Sequence, residues 1–186
     1  MTLIEHLASI IKVSDELSDE LMKLTKPREV KKGTIIINDG ERSTDLFFIE
    51  SGLLRGFYYA DDREITNWFA QEGEFATCFY SFITNVPAQE NVEALEDCLV
   101  IQIPHFNLQQ LYGRYPETER IGRILTEAYY VKLEGRLLGL QFTSAKERYD
   151  KLMDTNPALI QRASLGQIAS YLGITQETLS RIRAKR

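Results

Sequence analysis

The chain is poor in the residues that metal and redox chemistry use. Its 186 residues include two cysteines, Cys78 and Cys98, and two histidines, His6 and His105. The cysteines stand far apart without partners at metal-ligand spacing, so neither a disulfide framework nor a zinc site can be read from them. A metal-dependent enzyme on a β-barrel needs several histidines and a carboxylate around one ion, and two histidines cannot supply that. No Ser-His-Asp or Cys-His arrangement is evident, so no catalytic residue is assigned and an enzyme is not expected. No stretch approaches the roughly 20 consecutive apolar residues of a bilayer crossing. Glu5, His6 and Lys12 interrupt the start, where an export signal would carry a basic end and then an apolar run. The expectation is a cytoplasmic protein without a membrane partner.

The formal net charge of −5 is unevenly distributed. Up to Thr143 there are 14 Lys and Arg against 23 Asp and Glu; from Ser144 onward there are 8 against 4. The basic end is therefore the candidate for contact with a polyanion.

Residues 1–26 carry apolar positions at helical spacing, with Ser14 a candidate cap between two short helices. From Pro27 the texture changes to short β-branched and aromatic runs, separated by turn signals such as Asp39-Gly40, Ser51-Gly52 and Glu72-Gly73-Glu74. This predicts an antiparallel β sandwich or barrel over about 27–103, with no helix-length crossover between its strands. Helical periodicity returns after Pro104. Beyond Pro116, Ile121, Ile124, Ala128, Val131, Gly135, Leu138 and Phe142 follow the alternating three- and four-residue rhythm of a helix seam. Leu125, Tyr129, Leu133, Leu137 and Leu140 form a second stripe beside it. One face would pack on the β domain and the other on a second copy, giving a homodimer; burial of both faces within one monomer is the competing reading.

Residues 165–182 hold the sharpest pattern. Ser164 with Gln167 forms a capping box, Ile168, Ala169 and Leu172 supply a buried face, Gly173 permits a sharp turn, and Ile174 fills the corner. Thr175 then caps a second helix whose inner face is Leu179 and Ile182. Together these positions fit a helix-turn-helix. The outward side offers Gln176, Glu177, Ser180, Arg181 and Arg183 to base edges in a major groove, while Thr175, Lys185 and Arg186 suit phosphates. Double-stranded DNA is the expected partner.

This order of elements resembles the cyclic-AMP receptor/Fnr (Crp/Fnr) superfamily of bacterial transcription regulators. The residues that carry the resemblance are Asp45-Leu46-Phe47-Phe48-Ile49-Glu50-Ser51-Gly52, Gly73-Glu74-Phe75 and Gln176-Glu177-Thr178-Leu179-Ser180-Arg181. It implies an α+β chain with three parts: N-terminal helices and an antiparallel double-stranded β-roll sensor (1–115), a dimerisation helix (116–143), and a helix-turn-helix domain (144–186). It places Gln176, Glu177 and Arg181 at the base-reading positions, and its effector pocket over Gly73, Glu74, Phe75, Ala88, Gln89, Tyr129 and Leu133.

Several residues depart from the cyclic-nucleotide pattern. The family binds the cyclic phosphate with an Arg-Ser pair; here Ala88 and Gln89 stand in its place, and Leu133 and Glu134 replace a polar pair that reads the purine. A buried phosphate without a cation is costly, so cyclic AMP is disfavoured. An iron–sulfur form would need cysteines near the start, and a haem form an axial ligand beyond a lone histidine. No cofactor is expected. Two outcomes stay open for the β-roll: an unknown apolar or aromatic effector among Phe75, Phe79, Tyr80, Phe82, Trp68 and Tyr129, or a cavity filled by those side chains. The chain also reads as a short form without the family's C-terminal wing, its basic end replacing some phosphate contacts. A dimer would then read a rough palindrome with half-sites about 34 Å apart. An activator would also meet RNA polymerase, although no stretch marks a surface for it. The alternative is a dimeric adaptor that acts through protein partners and does not read DNA.

Overall fold

The computed structural model describes residues 1–61 and 63–184. Two short helices open the chain, α1 (Leu3–Ile10) and α2 (Asp15–Leu24). Thr2 and Glu5 close a capping box on α1. Ser14 caps α2 by accepting the Leu17 N–H, and its hydroxyl donates to Glu117 at 2.7 Å, which ties the start of the chain to the long helix.

Eight described strands follow: β1 (Lys26–Val30), β2 (Ile35–Ile37), β3 (Asp45–Ser51), β4 (Leu54–Ala60), β5 (Arg63–Ala70), β6 (Phe75–Ala76), β7 (Asn91–Ala94) and β8 (Cys98–Pro104). They form two four-stranded sheets, ordered β1-β8-β3-β6 and β2-β7-β4-β5, with every pairing antiparallel. One short helix of six residues, α3 (Phe79–Thr84), which the sequence pattern did not reveal, lies between β6 and β7 and passes from one sheet to the other. Its aromatic and β-branched residues are weak helix formers, and tertiary bonds hold it. The buried Ser81 hydroxyl accepts the Ser43 N–H and donates to the Val86 carbonyl.

The middle stretches of β3 and β8 are buried on both faces, which explains why they read as continuous apolar runs. Phe47, Ile49 and Val100 point between the sheets with Val30, Ile37, Leu54 and Val92. Their neighbours Phe48, Ile101 and Ile103 point the other way, into α1, α2 and the helices α4 (His105–Arg114) and α5 (Pro116–Phe142). Four helices complete the chain: α6 (Ala145–Thr155), α7 (Leu159–Arg162), α8 (Leu165–Tyr171) and α9 (Gln176–Ala184). Their core is shared with the sheets. Leu53 and Phe69 enter one cluster with Tyr149, Leu152, Leu159, Ile168, Ala169, Leu172 and Leu179. The Ser170 hydroxyl accepts the Thr66 N–H at 2.8 Å, and Asn156 donates to the Gln71 side chain at 3.0 Å.

On the same sheet, Arg55 is 2% exposed and ion-paired to Glu93 (2.7 Å) and Glu64 (2.5 Å), with its guanidinium 4.1 Å from the Phe57 ring centroid. Burial pushes the Glu93 carboxyl above its ordinary range, with the nearby arginine opposing that shift.

Gly56 faces Trp68 across the β4–β5 pair, and a Cβ there would lie 2.1 Å from the indole. The ring is held in place by its Nε1–H bond to Glu90 at 3.2 Å. Gly56→Ala is therefore expected to cost about 1–3 kcal/mol of stability in denaturant titration and to shift emission from the single tryptophan. Gly113→Ala, at an open helical site, should be neutral or mildly stabilising. Equal midpoints for both variants would contradict the packing described.

Candidate nucleic-acid interface

The interface is built on α8 and α9. Ser164 accepts the Gln167 N–H at 3.2 Å while Gln167 accepts the Ser164 N–H at 2.9 Å, so the expected capping box is formed. Ile168 and Ala169 are buried, and Gly173 takes a left-handed φ of +65° that a side chain would strain. The Ile174 N–H donates to the Ala169 carbonyl at 3.0 Å and closes the corner. Thr175 caps α9 by accepting the Thr178 N–H at 3.2 Å. Leu179 is wholly buried beneath, worth about 1.5–3 kcal/mol of apolar burial, and so orients the rest of α9 outward.

Thr175, Gln176, Glu177, Ser180, Arg181 and Arg183 are all exposed. Lys185 and Arg186 lie outside the described residues. Gln176 lies over α8, where a Cβ at Gly166 would come within 2.7 Å of its amide nitrogen. Sequence reasoning missed Gly166. The Glu177 carboxyl is held below its ordinary range by its own backbone amide, the Thr175 hydroxyl and Arg181. Arg181 bonds only weakly within its helix, to the Glu177 carbonyl at 3.4 Å and the Thr178 hydroxyl at 3.5 Å, and so is available to a ligand. The exposed end of α9 thus places a carboxylate acceptor, an amide and two guanidinium groups on one convex surface, a set suited to base edges in a wide groove.

The seven residues expected to form an effector pocket are not brought together. Glu74 pairs with Lys132 at 2.6 Å. Phe75 packs on the other face, against Phe48 and His6 at ring distances of 5.1 and 5.8 Å. Gly73 turns the chain beside Met1. Ala88 is buried in backbone bonds to Gly40 and Glu41, whereas Gln89 is exposed. Tyr129 stacks on Phe79 at 4.6 Å, and Leu133 is largely exposed. Of the other aromatics considered, Tyr80 is exposed and Phe82 packs on His105. Beside Ala88 and Gln89 lies a buried carboxylate, Glu90, which accepts from Asn67 at 3.0 Å and from Trp68. A phosphate there would meet a negative charge in place of a cation. Burial, with Glu90 adding to it, also raises the Tyr129 hydroxyl above its ordinary value.

A cleft of about 300 Å³ lies instead between the sheets, α5 and α6, floored by Leu53, Phe69, Leu152 and Leu159; Glu74 is the one expected pocket residue that lines it. Beside it stands a group that sequence spacing could not reveal: Arg162 bonds Glu72 and Glu96, residues distant in the chain. Among the described residues no group of three or more His, Cys, Asp and Glu could hold a metal ion, and no helix is long and apolar enough to cross a membrane.

Residues 27–115 match the cyclic nucleotide-binding domain family. The chain is 28% identical over 178 residues to the fumarate and nitrate reduction regulatory protein of Vibrio cholerae serotype O1, covering 88% of this chain and 69% of that protein. It is 27% identical over 181 residues to the anaerobic regulatory protein of Aggregatibacter actinomycetemcomitans, covering 88% and 67%. Its fold is similar to that of FixK2 from Bradyrhizobium japonicum, with a TM-score of 0.74 at 21% identity over 87% of this chain and 83% of that one. It is also similar to the c-di-GMP responsive global regulator CLP of Xanthomonas campestris, with a TM-score of 0.73 at 18% identity over 92% and 91%. With the β-roll, the long helix and the helix-turn-helix in this order, the chain is similar in sequence and in fold to regulators of the Crp/Fnr type, and its residues 27–115 form a cyclic nucleotide-binding-like domain.

Proposed function

We propose that the chain is a sequence-specific DNA-binding transcription regulator that works as a homodimer and takes no cyclic AMP. The observation that carries this reading is the exposed face of α9, where Gln176, Glu177, Ser180 and Arg181 stand on a turn fixed by caps and a buried leucine. Arg suits guanine O6 and N7, Gln suits adenine, and Glu suits the cytosine amino group. The dimer is supported by the second half of α5, where Val131 is 67% and Phe142 78% exposed in a single chain. Such a stripe is costly to leave in water and fits a partner helix at seam spacing. Only the first part of that stripe, Ile121, is buried within the monomer. Such a regulator works in the cytoplasm, where promoter DNA and RNA polymerase are found.

The sensor reading is supported by the absence of an arginine at Ala88 and Gln89, by the buried Glu90 carboxylate next to them, and by the Phe79–Tyr129 stack. Isothermal titration with cyclic AMP is expected to give no saturable heat; micromolar binding would contradict this. For DNA, gel shifts with the chain's own upstream region should give saturable, competitor-resistant complexes. Arg181→Ala is expected to lose about 1–3 kcal/mol on the selected site and almost nothing on random duplex. Equal losses on both would refute the base-reading role.

A further inference from the structure

Arg162 closes α7, two residues before the Ser164 cap of α8, and its side chain is 21% exposed. Its guanidinium engages two carboxylates at once. Nη1 and Nη2 donate to Glu72 at 2.9 and 2.8 Å as a two-pronged fork, while Nε donates to Glu96 at 3.2 Å and Nη2 also reaches Glu96. Glu72 lies in the turn after β5 and also accepts the Gly52 N–H at 2.8 Å, in the turn between β3 and β4. Glu96 lies in the turn between β7 and β8. One guanidinium therefore ties three turns at one end of the β-roll to the helix that leads into α8. Partial burial alone would raise the Glu72 carboxyl, but Arg162 and the Glu72 and Gly52 amides outweigh it and bring it down to about 2.

The remaining ties across this junction are single hydrogen bonds, from the Thr66 N–H to Ser170 at 2.8 Å and from Asn156 to Gln71 at 3.0 Å, and an apolar cluster. The apolar cluster of Leu53 and Phe69 with Leu159, Ile168 and Leu179 attaches the reader but is not directional. A planar fork on two carboxylates fixes an angle as well as a distance. The base-facing residues of α9 remain exposed in this docked arrangement, so the clamp presents the reader without covering it. Among the described residues no ion pair runs from α9 itself to the β-roll; the corner before α9 is held by Arg136 of α5, which donates to the Tyr171 carbonyl at 3.3 Å, and by Arg148 of α6, which donates to the Leu172 carbonyl at 2.8 Å.

We propose that Arg162 is a positioning residue for DNA reading: by locking α7 to the Glu72 and Glu96 turns, it sets the separation of the two recognition helices in the dimer, and so the half-site spacing that is accepted. This inference rests on the DNA-reading function proposed above. It predicts that Arg162 touches no DNA and leaves the affinity of one reader for one half-site unchanged.

The test compares wild type, Arg162→Gln and the charge swap Arg162→Glu with Glu72→Arg. Duplexes carry two copies of the half-site selected by wild type, separated by a spacer varied one base pair at a time. Wild type is expected to favour one spacing by about a hundredfold. Arg162→Gln should flatten that preference to within about threefold while binding a single half-site as wild type does, and the swap should restore selectivity. A merely structural role would weaken all duplexes alike and leave the spacing profile unchanged. An unchanged profile, or uniformly tighter binding by Arg162→Gln, would overturn the proposal. Spin labels at Ile83 and Ser180 supply a readout without DNA. The distance distribution should be narrow in wild type, broad in Arg162→Gln and narrow again in the swap; equal widths in all three would also overturn it. Failure of the DNA-reading function would appear separately, as the absence of any duplex selected by wild type.

Discussion

The structure depends on an apolar cluster that belongs to two parts of the chain at once. Leu53 and Phe69 leave the face of a β-sheet and enter the core of a helical module that would otherwise have little to bury. Helices of seven and nine residues, α8 and α9, are too short to persist alone and owe their form to this packing. Because Leu179 is fully buried in the cluster, its neighbours Gln176, Glu177, Ser180 and Arg181 must face water. The reading surface is thus a consequence of the shared core, and polar ties such as Ser170 to Thr66 and Arg162 to Glu72 then fix how it is aimed.

The β-roll contrasts with this open surface. Next to Ala88 and Gln89 it holds the buried Glu90 carboxylate, which accepts from the Trp68 indole and the Asn67 amide. Beside α3, Tyr129 from the long helix stacks on Phe79. The first contact satisfies a buried carboxylate, and the second covers part of two rings that are otherwise open to water. The roll packs against the long helix and the reader, and the cleft floored by Leu53, Phe69, Leu152 and Leu159 lies at the junction of the three.

Local signals were the most legible in the sequence. The Ser14, Ser164 and Thr175 caps, the Gly173 turn and the buried Ile168, Ala169 and Leu179 each depend on residues within four positions, and each is found where spacing placed it. The long helix was legible from its seam for the same reason. Strand facing was harder to read. In Leu46-Phe47-Phe48-Ile49 both faces are apolar, so periodicity carries no parity, and the same ambiguity hid the fact that Phe75 joins Phe48 and not the interior. Helix α3 was hidden because its residue types favour strands, and Ser81 holds it through contacts made elsewhere in the chain. Arg162 carried no signal, since its partners Glu72 and Glu96 are brought to it only by the completed fold.

Native-state hydrogen exchange under increasing denaturant tests the central claim most directly, namely that reader and roll share one core and open together. Amides around Ile168 and Ala169 in α8 should lose protection at the same denaturant concentration as those of Phe47 to Ile49 in β3. Exchange of α8 and α9 at lower denaturant, with the strands still protected, would contradict it.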